Sequence, residues 1–292
     1  MRTILVDGFN LAFRAYYAMP GLLRTGDGFP LGAVHGWIRM LWRLQDQEKP
    51  NRLVVFFDKD GSTRHLALHP EYKANRSETP PDLVRQLPEI RKITTLLGFP
   101  VLERSGVEAD DMIASAAKAL AADGEVVLIA SADKDFAQCV TDNIQLLVPA
   151  QQPKGGWQRL DVTGIIEKFG VRPEQIVDYL SLIGDAVDNI PGLSGVGPKT
   201  ATRWLERYQS IDGLLSARKE VVPERFREVL AVAEEKLTLN RRLITFCADL
   251  SGDWHARGEC DVSGVRGFFS EMKMDSTLKE FERRSGSQLE LF

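Results

Sequence analysis

Cysteine and histidine are scarce in this chain of 292 residues, with three of the first and four of the second. Cys139, Cys247 and Cys260 are odd in number, widely spaced and form no Cys-x-x-Cys pair. That excludes a disulfide framework and a zinc site, and fits a reduced, cytoplasmic protein. The histidines have no spacing that suggests a metal or a catalytic triad, and read as surface residues. Long apolar runs are missing as well. No segment is long enough to span a bilayer, and the first apolar run meets Asp7 too early for a signal peptide, so no membrane partner is expected. Internal repeats and low-complexity tracts are absent.

Apolar residues make up 43% of the chain, enough for a substantial core in one large domain or two unequal ones. The net charge of −4 argues at first against a phosphate-rich partner. The distribution changes that reading. Nine acids end apolar runs or fall in short clusters: Asp7, Asp58, Glu108, Asp110, Asp111, Asp133, Asp135, Asp185 and Asp188. Setting those nine aside leaves 32 of the 41 acidic residues against 37 basic ones, a balance of +5.

Period and composition predict strands at Thr3–Val6, Arg52–Phe57, Pro100–Leu102, Val126–Ala130 and Ile144–Val148. Amphipathic helices are predicted over Gly32–Glu48 and Pro81–Leu97, with an Ala-rich helix ending near Ala121. Strands alternating with helices to about residue 150 imply an α/β parallel sheet with helices on both faces. Ligands of such sheets bind at the carboxyl ends of the strands, just past which Asp7, Asp58 and Asp133 fall. From Val162 onward no strong strand is visible, and Pro223–Phe246 reads as one long charged helix.

Taken singly, each acid is most simply a solvated carboxylate or a helix cap. Taken together they describe a gathering of like charge that is tolerable only around cations. Oxygen ligands without a Cys/His cluster point to Mg²⁺ or Mn²⁺. Two such ions about 4 Å apart can activate a water and steady the leaving oxygen of a phosphodiester.

Two further segments suit phosphates. In Gly195-Val196-Gly197-Pro198-Lys199-Thr200-Ala201 a tight turn precedes a helix with proline at its first position. Its freed N–H groups and Lys199 would grip a backbone phosphate, in the manner of a helix-hairpin-helix, where the plain alternative is an ordinary helix–helix turn. Residues 59–85 hold Arg64, His65, His69, Tyr72, Lys73, Arg76 and Arg85, with little to pack a core. Basic groups beside Tyr72 suit a single strand whose bases stack, and a solvated loop is the alternative.

The set Val6-Asp7-Gly8, Phe13-Arg14-Ala15-Tyr16, Tyr72-Lys73-Ala74-Asn75-Arg76, Glu108-Ala109-Asp110-Asp111, Asp133-Lys134-Asp135 and Gly184-Asp185 through Asp188-Asn189-Ile190-Pro191-Gly192 resembles the bacterial flap endonucleases. These include the 5′-nuclease domain at the front of DNA polymerase I. The likeness runs from residue 2 to about 250.

The resemblance implies a PIN-like nuclease domain at 1–160 with a helical arch near 59–85. It also implies a mostly helical DNA-binding part at 161–282 that carries a helix–three-turn–helix. Asp7, Asp58, Glu108, Asp110 and Asp111 would serve a first Mg²⁺, and Asp133, Asp135, Asp185 and Asp188 a second. Arg14, Lys73 and Arg76 would neutralise the scissile phosphate. Tyr72, Gly195, Val196, Gly197, Lys199 and Thr200 are the expected DNA contacts, with K⁺ on backbone carbonyls at the Gly195–Gly197 turn. None of the nine acids is missing.

Gln288-Leu289-Glu290-Leu291-Phe292 resembles the peptide by which bacterial replication and repair proteins dock on the sliding clamp. Gln288 would anchor the backbone, and Leu289, Leu291 and Phe292 would supply apolar contacts, at the end of a flexible tail over 283–292. The expectation is a free-standing, monomeric, structure-selective 5′-nuclease acting on DNA in replication and repair. A PIN-like ribonuclease and a non-catalytic branched-DNA adaptor are the alternatives.

Overall fold

The apolar run after Met1 forms the first strand, β1 (Arg2–Asp7), in the computed structural model of the protein. The structure describes residues 1–19, 23–150 and 156–289, the side chains of 286–289 excepted. After β1 come α1 (Gly8–Ala18), α2 (Gly32–Glu48), β2 (Arg52–Phe56), α3 (Thr63–Leu68) and α4 (Pro81–Leu96). They are followed by β3 (Val101–Leu102), α5 (Ala109–Ala122), β4 (Val126–Ala130), β5 (Ile144–Pro149) and β6 (Trp157–Leu160).

The sheet order is β3-β2-β1-β4-β5-β6. All pairings are parallel except β5 with β6, an antiparallel edge that periodicity did not predict. The central strands are buried on both faces, which is why they read as continuous apolar runs. Alternation divides their side chains between two cores. Leu5, Val54, Phe56, Val127 and Ile129 enter one. Ile4, Val6, Leu53, Val55, Phe57, Leu128 and Ala130 enter the other.

Helix α2 covers the second core with Val34, Trp37, Ile38, Leu41, Trp42 and Leu44, all buried. Each such side chain stabilises by roughly 2 kcal/mol before ordering entropy is subtracted. The helix stops where Lys49 turns left-handed (φ 46°) and its N–H donates to Gln45 O, just before Pro50. Helix α4 starts on Pro81, whose missing N–H costs nothing at that position.

The second half continues with α6 (Val162–Phe169), α7 (Ile176–Ile183) and a two-residue antiparallel pair, β7 (Gly184–Asp185) and β8 (Ile190–Pro191). Then come α8 (Pro198–Tyr208), α9 (Ile211–Ser216), α10 (Arg225–Ala231), α11 (Glu234–Ile244), α12 (Val262–Glu271) and α13 (Asp275–Leu289). The single helix expected over Pro223–Phe246 is therefore two. The break falls at Val232 and Ala233, where the Val232 N–H donates to Leu230 O and closes α10 before α11 begins.

The expected boundary near residue 160 separates no cores. Leu5 and Ile129 share one with Trp204 and Leu237. Helices α12 and α13 return to the opposite face, where Val265, Phe268, Phe269 and Phe281 pack with Trp37 and Leu41. The stretch expected as a loose tether, 283–287, instead continues α13. Arg284 there pairs with Asp46 and lies 5.1 Å over the Trp42 ring, which docks the helix on α2.

Candidate active site

Strand order reverses between β1 and β4, and the crevice at the carboxyl ends of these strands is where a doubly wound sheet offers a binding site. Asp7 ends β1 and caps α1 by accepting from Asn10 N at 3.2 Å. The Ser131 hydroxyl, just past β4, donates to Asp7 Oδ2 at 2.6 Å and accepts from Asp133 N at 3.0 Å. Asp58 follows β2 and accepts from Ala109 N at 2.8 Å, which positions the start of α5. Asp110 lies in the first turn of that helix, near its positive end.

Asp7, Asp58, Asp110 and Asp133 line one cavity of about 590 Å³ together with Phe9, Phe13, Lys73 and Arg76. Burial, reinforced by the Asp133 charge and opposed by the Ser131 hydrogen bond, raises the Asp7 carboxyl to about 7. Burial and the neighbouring carboxylates of Asp7 and Asp133 hold Asp110 well above the usual range. Burial raises Asp58 and Asp133 as well, with the Glu108 charge adding at Asp58 and the Asp188 charge at Asp133. Four acids in one cavity ionise together only if positive charge joins them.

A second group lies beside it. Asp135, Asp185 and Asp188 each present an oxygen within 4.8 Å of the others, the only such trio of candidate metal ligands among the described residues. Asp135 sits in a tight 3₁₀ turn begun by Asp133, whose Oδ1 accepts from Asp135 N at 3.0 Å. Asp185 depends on a close approach of β7 and β8. A Cβ on Gly184 (φ +79°) would lie 2.3 Å from Gly192 N, so only glycine fits. Asp135 Oδ1 is buried and accepts no hydrogen bond. An oxygen left in that state costs about 1–3 kcal/mol, and a hard cation would relieve it. The all-oxygen donor set therefore fits divalent metal ions. Burial, then the Asp133 charge, raises Asp135 to about 7.

The two groups differ from the expected five and four. Asp133 lines the first cavity, although it was expected in the second group. Asp111 points elsewhere: its Oδ1 accepts from Cys247 N at 2.7 Å and ties α5 to the chain after α11. Successive helical residues diverge by about 100°, and of the two only Asp110 lines the cavity. Glu108 is fully engaged. Lys73 Nζ donates to its Oε1 at 2.7 Å, and its Oε2 lies 3.0 Å from His65 Nδ1 and 3.3 Å from the Tyr72 hydroxyl. Burial works against the Glu108 charge, but the His65 and Lys73 contacts outweigh it and hold the carboxyl down to about 2.

His65 is thus a buried partner of Glu108, not a surface residue, at 3% exposure. Tyr72 is likewise not an open stacking platform. Its ring is buried against His65 at 4.6 Å, and its hydroxyl donates to Glu108 and Asp188, both at 3.3 Å.

The segment from Glu71 to Arg76 is stapled to the turn between β7 and β8. Lys73 N donates to Asp188 O at 3.1 Å, Asn75 Nδ2 to Ala186 O at 2.7 Å, and Asn189 Nδ2 to Glu71 O at 2.8 Å. Lys73 is left-handed (φ 58°), a backbone state that costs a non-glycine residue about 1 kcal/mol or more and that these contacts hold in place. Arg76 pairs with Asp188.

Arg14 does not line the acid cavity. It is exposed and borders a neighbouring cleft of about 940 Å³ with Ala132, Arg159 and Lys168. At the glycine turn Gly195 has φ +71°, Gly197 precedes α8, and Pro198 takes the first helical position. Lys199 is exposed and Thr200 half-buried, but the Val196 side chain belongs to the core. Gln288 and Leu289 fall in the last turn of α13, where side chains are not described, and Leu291 and Phe292 lie outside the described residues. Ser131, Asn10 and Lys134 escaped sequence reasoning. Only Lys134 left a signal, as a cation between two of the acids.

Residues 2–170 match the family model described as 5′-3′ exonuclease, N-terminal resolvase-like domain. Residues 171–261 match that described as 5′-3′ exonuclease, C-terminal SAM fold. The chain is 37% identical to the 5′-3′ exonuclease of Aquifex aeolicus, with all of both chains covered. It is 38% identical over 96% of its length to the thermostable DNA polymerase I of Thermus thermophilus, of which it spans 33%. A solved structure of the bacteriophage T5 D15 flap endonuclease, a pseudo-enzyme-product complex with DNA and metal ions, aligns with a TM-score of 0.68. That alignment covers 97% of this chain and 98% of the other at 22% identity, a likeness of fold.

Proposed function

The chain belongs to the 5′-3′ exonuclease family, a family of nucleases, and on that premise we propose that it hydrolyses DNA phosphodiesters at branched or 5′-ended duplexes. It would remove 5′ flaps and shorten 5′ ends in replication and repair. One observation carries the reading: Lys73 and Arg76 share a cavity with Asp7, Asp58, Asp110 and Asp133, beside the trio Asp135, Asp185 and Asp188.

Mg²⁺ (or Mn²⁺) ions held by the two acid groups would supply an activated water and stabilise the departing 3′ oxygen. The chain's own residues do the remaining work. Lys73 and Arg76 bring positive charge to the non-bridging oxygens of the scissile phosphate, in a site whose low dielectric strengthens the effect. Glu108 and Asp188, their present partners, keep both side chains aimed at the cavity. Arg14, in the next cleft, would hold a flanking phosphate. The start of α8 supplies the backbone N–H of Lys199, and the Lys199 charge, to the duplex backbone. K⁺ on carbonyls of the Gly195–Gly197 turn would brace that contact. Phosphate contacts of this kind imply little sequence preference and a steep salt dependence.

The reading is tested with an end-labelled 5′-flap DNA and a matched RNA flap, each with Mg²⁺ and with chelator. Cleavage of the DNA flap near its junction, abolished by chelator, is expected. Faster cutting of the RNA flap would make the chain a PIN-like ribonuclease. Tight DNA binding without cutting would make it an adaptor. Docking on a sliding clamp through Gln288–Phe292 rests on the peptide pattern alone. Deleting 288–292 should abolish clamp binding and leave short-substrate cleavage unchanged.

A further inference from the structure

Lys134 stands between Asp133 and Asp135, and its ammonium reaches into the trio. Its Nζ donates to Asp185 Oδ2 at 2.5 Å and lies 3.4 Å from Asp135 Oδ1. The third acid, Asp188, is taken by Arg76 at 2.5 Å, with Lys73 Nζ at 4.0 Å. Every carboxylate of the trio therefore already faces a cation of the chain itself. The first cavity differs: among the described residues Asp7, Asp58, Asp110 and Asp133 form no ion pair.

An ammonium is a partial substitute for a divalent ion. It carries half the charge, and it hydrogen-bonds Asp185 while leaving the buried Asp135 Oδ1 without a hydrogen bond. A divalent cation could take oxygens from all three acids at once. The Lys134 side chain is 37% exposed, so its flexible stem can swing to solvent without a backbone movement.

We propose that Lys134 is a resident counter-cation of the Asp135–Asp185–Asp188 group, displaced when a divalent ion binds there, and that it sets the affinity of that site. This rests on the reading of the trio as a metal site. The fold brings oxygens of three carboxylates within 4.8 Å of one another. Without a counter-charge their mutual repulsion would weaken the apo protein. Lys134 offsets that repulsion, and each divalent ion must then break the Lys134–Asp185 pair to enter.

The test needs no DNA. Mn²⁺ binding to the full chain is followed by electron paramagnetic resonance for wild type, Lys134→Met, Lys134→Arg and Asp185→Asn. The trio's site should disappear in Asp185→Asn. In Lys134→Met it should tighten about fivefold, the equivalent of one modest ion pair removed, while the metal-free protein melts at lower temperature. Lys134→Arg keeps the charge in a bidentate fork, so it should bind Mn²⁺ no tighter than wild type even if the methionine variant fails to fold. Equal or weaker Mn²⁺ binding by Lys134→Met, or tighter binding by Lys134→Arg, overturns the role of Lys134 alone. A Mn²⁺ titration unaffected by Asp185→Asn overturns the metal reading of the trio and this inference with it.

Discussion

The Ser131 hydroxyl donates a 2.6 Å hydrogen bond to Asp7 across the point where the strand order reverses. It joins the carboxyl ends of β1 and β4 and favours the ionised form of an acid that burial disfavours. Ser131→Ala should therefore push the Asp7 carboxyl above about 7 and move the acidic limb of the cleavage pH profile to higher pH. The lost bond should also cost about 1 kcal/mol of stability. A pH–rate series at fixed Mg²⁺ with a parallel thermal melt checks both, and an unmoved acidic limb would show that another group controls it.

The metal-free protein should lose stability as pH rises from about 4 to about 7. Burial holds the Asp7 and Asp135 carboxyls up at about 7 in the folded state, against 3.8 for a free aspartate. Between those values the unfolded chain has released protons that the folded chain retains, so unfolding gains ground with each step in pH. Divalent ions reverse the trend above pH 7, since a cation at ten times its Kd stabilises by about 1.4 kcal/mol. At pH 5 protons compete and the gain should nearly vanish. Melting curves with Mg²⁺ and with chelator across pH 5–8 measure this, and a Mg²⁺ effect independent of pH would contradict it.

Tyr72 separates a packing role from a stacking role. Tyr72→Phe keeps the contact with His65 and removes two long hydrogen bonds, so it should cost less than about 1 kcal/mol. Tyr72→Ala opens a buried cavity and should cost about 3–5 kcal/mol. Denaturant unfolding read beside single-strand affinity decides the matter. An alanine variant of native stability with weakened single-strand binding would restore the stacking reading.

Asp110→Asn and Asp111→Asn should differ although the residues are neighbours. The first removes a carboxylate that lines the cavity and should lower cleavage by about a hundredfold or more while leaving stability unchanged or raised, because a crowded charge is gone. The second weakens the anchor to Cys247 and should cost about 1–2 kcal/mol with metal stoichiometry intact. Counting bound Mn²⁺ in both variants, with a thermal melt, tests the pair.

Much of the architecture was readable in advance because it depends on local rules. Five parallel strands follow from short apolar runs, and α2 and α4 from their spacing and their proline and left-handed stops. The errors arose where neighbours distant in sequence decide. Pro223–Phe246 has helical character throughout, yet the chain breaks at Val232 and Ala233, where a cap closes α10 and no glycine or proline marks the stop. His65 and Tyr72 look polar and exposed on paper, but the crowding of Glu108 and Asp188 draws them inside.

By itself the sequence determined that acids end the strands of an α/β sheet and gather at one edge, because strand ends and helix starts are set by local period. The tertiary structure alone decided which acids meet. Asp133 turns to the cavity of Asp7, Asp111 turns away to Cys247, and Lys134 enters the trio. Those outcomes depend on side-chain direction at turns and on charge balance across residues far apart in the chain, neither of which a linear pattern encodes.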